Sequence, residues 1–75
     1  MVTLTMADGS QEQCAILDLS VSGVAVASRS RPPMGSMVQV GKAPGRVVRH
    51  LENGFAIEFS LVQNPDLLKT TIAQG

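Results

Sequence analysis

Residues 14–26 read Cys14-Ala15-Ile16-Leu17-Asp18-Leu19-Ser20-Val21-Ser22-Gly23-Val24-Ala25-Val26. Two apolar runs flank a polar corner, Asp18 to Gly23. Short apolar runs bounded by Asp, Ser and Gly read as strands joined by a turn. The strand before the corner, residues 12–18, begins polar at Gln13 and ends apolar at Leu17. Its later part is therefore expected to be buried on both faces. Gly23 opens the next strand, residues 23–28.

The flanking sequence repeats this pattern. Val2, Leu4 and Met6 alternate with Thr3, Thr5 and Ala7, which is a half-buried strand over 2–7 ending at the hairpin signal Asp8-Gly9. Arg29 to Gly35 contains two consecutive prolines and reads as a loop. A strand over 36–41, a turn at Lys42-Ala43-Pro44-Gly45 and a strand over 45–51 follow. Asn53-Gly54 is a second hairpin signal. It leads into Phe55, Ile57 and Phe59 of a strand over 55–60. Asn64 and Pro65 then suit the start of a helix over 65–73, with Leu67, Leu68, Thr71 and Ile72 on one stripe. Six short strands and a terminal helix predict an all-β fold, a small six-stranded antiparallel barrel with a short C-terminal helix, as a single domain over residues 1–75.

Composition narrows the class. The chain has 75 residues, 44% hydrophobic and 16% charged, with six Lys and Arg against six Asp and Glu. That is too apolar for a disordered tail. Zero net charge offers nothing to DNA or RNA backbones or to an anionic membrane. The absence of Trp and Tyr removes an aromatic platform for single strands. The single cysteine, Cys14, excludes an intrachain disulfide and a Cys-rich zinc site. It reads as a small buried hydrophobe. No apolar run approaches the roughly 20 residues of a membrane span, and no signal peptide opens the sequence. Residence in the cytoplasm is the expectation.

The corner carries the candidate chemistry. An Asp at a strand end offers two coplanar acceptor oxygens, suited to a paired donor edge such as N1–H and N2–H2 of guanine. The hydroxyl of Ser20 can donate to a phosphate or base oxygen, and Gly23 allows close approach and positive φ. The same residues also suit a plain turn, in which Asp18 and Ser20 satisfy local amides and Gly23 bends the chain. Both readings stand at this level.

The run Cys14 to Val26, followed by Gly45-Arg46-Val47-Val48-Arg49-His50-Leu51-Glu52-Asn53-Gly54-Phe55-Ala56-Ile57-Glu58-Phe59, resembles the PilZ domain family. The family signature Asp/Asn-x-Ser-x-x-Gly falls on Asp18, Ser20 and Gly23. The resemblance covers most of residues 2–60. It implies a six-stranded barrel with a C-terminal helix, a bacterial receptor for cyclic di-GMP, and a family linked to motility, exopolysaccharide and biofilm control. In that family an N-terminal Arg-x-x-x-Arg segment wraps over the ligand, and the N-terminal end of this sequence carries none. Two arginines contributing about 1.5–3 kcal/mol each correspond to a factor of roughly 10²–10⁴ in affinity. The expectation is half of the usual ligand site, with binding weak or absent in this form.

Other residues carry less. Arg29 and Arg31 are candidate phosphate contacts, or solvated loop charges. Arg46 and Arg49, three apart on one strand, are expected on opposite faces. His50 has no acid or nucleophile near it in sequence, and Met34 and Met37 read as core rim. No catalytic constellation and no cofactor or metal site emerges, so the chain reads as a non-enzyme. Besides the cyclic di-GMP receptor, two readings compete. One is a degenerate PilZ-like domain that binds a protein partner or neighbouring domain instead of nucleotide. The other is an unrelated small barrel, such as an SH3-like adaptor or a nucleic-acid-binding barrel, which the lack of surface aromatics and the zero net charge disfavour.

Overall fold

The computed structural model describes residues 1–60. They form β1 (Val2–Thr5), β2 (Gln11–Leu19), β3 (Gly23–Ala27), β4 (Met37–Val40), β5 (Ala43–Leu51) and β6 (Gly54–Phe59). The strands close into an antiparallel barrel in the order β1-β2-β3-β6-β5-β4. The predicted helix over 65–73 lies outside the described residues.

Period two drives the closure. Val2 and Leu4, Val24 and Val26, Val38 and Val40, and Phe55, Ile57 and Phe59 all point inward and are buried. Each such side chain contributes about 1.5–3 kcal/mol when fully removed from water. Pairing of Leu4 with Val40 and Thr5 with Gln39 joins the first strand to the fourth, so the ladder has no free edge over that span. Cys14 is buried among these residues, as its position predicts.

The second half of β2 departs from expectation. It is not buried on both faces: Ala15 to Leu19 are all exposed. The reason is length. The four-residue β1 reaches only as far as Val2 opposite Cys14, so β2 runs on beyond it and, among the described residues, pairs with β3 alone. Ile16, Leu17 and Leu19 consequently stand 37%, 47% and 38% exposed. Met34 and Met37 are likewise exposed rather than at the core rim.

The turns differ in detail from the sequence reading. At Asp8-Gly9 a three-residue loop closes with Gly9 N–H donating to Met6 O at 3.0 Å, and Gly9 takes φ 89°. This is the three-residue hairpin loop with glycine at its left-handed position. The second hairpin turns on Glu52 and Asn53, while Gly54 is already in β6 without positive φ. There the glycine is required by packing, because a Cβ would collide with the carbonyl of Val26. The turn predicted at 42–45 is instead Gly41-Lys42, with Gly41 at φ 61°. Ala43, Pro44 and Gly45 belong to β5. Pro44 lacks an N–H but its carbonyl accepts from Ser60 N–H at 2.9 Å.

Candidate functional site

The corner after β2 is held by its own serine. Ser20 N–H donates to Gly23 O at 2.9 Å, and Ser20 Oγ accepts from the N–H groups of Ser22 and Gly23 at 3.3 and 3.2 Å. Phe59 N–H donates to Ser22 O at 2.9 Å, which pins the corner to the end of β6. Gly23 has no positive φ. Its role in packing is plain, since a Cβ there would stand 2.5 Å from the carbonyl oxygen of Ile57. Ser20 therefore organises the turn and Gly23 lets β3 lie close to β6.

Asp18 is presented differently. It is exposed, and its Oδ1 accepts one bond, from Leu19 N–H at 3.0 Å. Oδ2 has no partner among the described residues. The carboxylate is exposed and holds a single amide of its own corner, through Oδ1 alone.

Register places further residues beside it. Asp18 pairs with Ala25, Ala25 with Ala56, and Ala56 with Arg49. Directly paired residues share a face of the sheet, so these four form one row across β2, β3, β6 and β5. Strand spacing of about 4.8 Å puts its ends at most about 14 Å apart along the surface. A shallow groove of about 240 Å³ lies over the row, with Asp18, Ser20, Ala25, Ala56, Arg49 and Glu58 in its lining.

Two β-bulges make the row possible. In β2 the register shifts between Ile16 and Asp18, so Leu17 is the extra residue. In β5 it shifts between Val47 and Arg49, so Val48 is extra. An unopposed residue resets the alternation. Arg46 opposes Glu58 and Arg49 opposes Ala56, two positions apart on β6. Both arginines therefore lie on the outer face, contrary to the expectation of opposite faces. Arg46 pairs with Glu58 at 3.6 Å. The Arg49 guanidinium has no hydrogen bond or ion pair among the described residues. The position of Arg49 was hidden by counting along one strand. The signal was the adjacent apolar pair Val47-Val48, which breaks the polar–apolar alternation as Ile16-Leu17 does.

Arg29 and Arg31 are not brought to this row. They follow Ala27, at the far end of β3, about 13 Å from Gly23 by the strand rise. Arg31 reaches the β5–β6 hairpin, where Nη1 donates to Leu51 O and to Gly54 O, the latter at 3.1 Å, and Nη2 donates to Glu52 O at 2.9 Å. Nearby, Glu12 accepts from Ser28 Oγ at 2.9 Å and Ser30 Oγ at 2.8 Å. His50 Nε2 lies 2.7 Å from Pro32 O. Arg29 lines an open cleft of about 650 Å³ at this end, with Glu12, Ser28, Glu52 and Asn53.

Burial pushes the Cys14 thiol up to about 11, with the nearby charge of Glu12 acting the same way. Among the described residues no group of His, Cys, Asp and Glu could hold a metal ion, and no helix is long and apolar enough to cross a membrane. No curated protein and no solved structure gives a significant match. The family model described as the PilZ domain matches residues 1–74, and the chain belongs to that family.

Proposed function

We propose that this domain is a cytoplasmic signalling module of the cyclic di-GMP receptor type, which takes a guanine edge at Asp18. PilZ domains form a family of cyclic di-GMP-binding-type signalling modules, ligand-binding or adaptor domains rather than enzymes. The observation that carries the reading is the Asp18 carboxylate, exposed at one side of a groove with Oδ2 unpartnered among the described residues. An ionised carboxylate so displayed can accept a paired N–H donor edge. Ala25 and Ala56 leave a low apolar floor on which a flat ring can rest. Calorimetric titration with cyclic di-GMP tests the proposal. Heat abolished by Asp18→Ala is the expected result, and silence at millimolar ligand overturns it.

A second reading is a protein-interaction domain that does not use nucleotide. The overhanging half of β2 favours it, because Ile16, Leu17 and Leu19 are exposed together on a strand segment that, among the described residues, is paired on one side only. Recovery of one specific partner in the absence of nucleotide, lost on Leu17→Asp, is its test.

A further inference from the structure

We infer that Arg49 is the phosphate-contacting cation of the Asp18 groove, so that the row Asp18–Ala25–Ala56–Arg49 selects a ligand with a donor edge at one end and an anion at the other. The inference rests on the nucleotide reading above and adds to it a residue outside the signature. Three observations carry it. First, register puts Arg49 and Asp18 in one cross-strand row, separated only by two alanines. Second, each end of the row follows immediately on a bulge, Leu17 before Asp18 and Val48 before Arg49. Bulges re-aim side chains at the cost of local ladder bonds. Two of them at matching positions display opposite charges on one face.

Third, Arg49 contrasts with its neighbours on the barrel. Arg46 sits on the same face and faces Glu58 at 3.6 Å, and Arg31 spends its guanidinium on hairpin carbonyls. Arg49 has no such engagement among the described residues, yet it lines the groove. Asp18 and Arg49 form no ion pair with each other among the described residues, their strands lying three spacings apart, about 14 Å along the sheet. Each therefore keeps its hydrogen-bonding capacity for a molecule lying between them. A purine resting on the alanine floor, with its edge at Asp18, directs its sugar phosphate along the row toward Arg49. The planar guanidinium fork suits that oxyanion in a way an ammonium does not.

The test is titration of the full chain with cyclic di-GMP at two salt concentrations, for wild type, Arg49→Gln, Arg49→Lys, Arg46→Gln and Asp18→Ala. Arg49→Gln is expected to weaken binding roughly 10- to 100-fold and to flatten its salt dependence. Arg49→Lys recovers part of the loss, and Arg46→Gln stays near wild type. Thermal melts are unchanged by Arg49→Gln, which separates lost contact from lost fold. Wild-type affinity in Arg49→Gln, with binding still abolished by Asp18→Ala, overturns the role of Arg49 and leaves the nucleotide reading standing. No binding by the wild type at millimolar ligand overturns both.

Discussion

Arg31 and Arg49 sit at two different parts of one small barrel, and their surroundings are opposite. Arg31 closes the end built from the 28–36 loop and the β5–β6 hairpin, where its guanidinium meets the carbonyls of Leu51, Glu52 and Gly54. Glu12, Ser28, Ser30, His50 and Pro32 complete that end with hydrogen bonds among themselves. The outer face near the corner is built the other way. Its backbone is held firmly by Ser20 and Phe59, but the charged tips of Asp18 and Arg49 reach into an open groove. A charge whose hydrogen bonds are spent inside the protein contributes to stability. A charge on a rigid frame with bonds left over contributes to recognition.

The largest effect that could break this contrast comes from the glycines that let β3 and β6 touch. Gly54→Ala drives a Cβ into the carbonyl of Val26 at the clamped end. In a domain this small it is expected to abolish the cooperative urea transition, since overpacking costs about 1–3 kcal/mol or more. Gly23→Ala, 2.5 Å from Ile57 O at the groove end, is expected to fold with a clearly lowered urea midpoint. Equal tolerance of both substitutions would contradict the close strand contact.

The two arginines sharpen the comparison directly. Arg31→Ala removes the charged donor from three hairpin carbonyls and, because Arg31 is exposed and water can take its place, is expected to cost about 1 kcal/mol in denaturant unfolding. Cyclic di-GMP titration of the folded fraction should be unaffected by it. Arg49→Ala should change unfolding by no more than about 0.5 kcal/mol, as for an unengaged surface residue.

Cys14 gives a smaller, pH-linked effect. Its thiol is raised from 9.0 to about 11 by burial first and Glu12 second. The folded state thus favours the protonated thiol, and the stability this contributes is present below 9 and lost as pH rises toward 11. Urea midpoints should fall across that window, and the fall should vanish in Cys14→Ala. At pH 8 an alkylating reagent should leave Cys14 unmodified until denaturant is added, as read by mass spectrometry.

The smallest effect lies in the first hairpin. The hydroxyl and N–H of Ser10 both donate to Asp8 Oδ1, at 2.7 and 2.9 Å, and hold that carboxyl below 3.8. The support is present above 3.8 and fades as pH falls through the lowered value. An NMR titration of Asp8 should show the depressed midpoint, which returns to the ordinary range in Ser10→Ala.

Much of the architecture was legible from residue order. Alternating Val2 and Leu4, and Phe55, Ile57 and Phe59, announced inward faces, and each of these residues is buried. Strand existence followed from period two; strand ends moved by a residue or two where Gly54 and Ala43 joined the ladder. The second half of β2 was misread because apolar content signals burial only if another element covers it. How far β1 extends along β2 is a matter of pairing. Gly23 was read as allowing either close approach or positive φ; the close approach is the one used, against Ile57, a residue 34 positions away in the sequence.

The order of side chains along the chain was enough for an antiparallel barrel, a polar corner at Asp18 to Gly23 and membership of a family of small receptor domains. That is so because hydrophobic alternation and turn chemistry act between near neighbours. Which charges face one another is a different kind of fact. Asp18 and Arg49 come from strands that do not pair with each other, and they share a row only because two extra residues, Leu17 and Val48, reset two separate ladders. Cross-strand register is settled when the sheet closes, so the groove's second charge had to be found in the folded molecule.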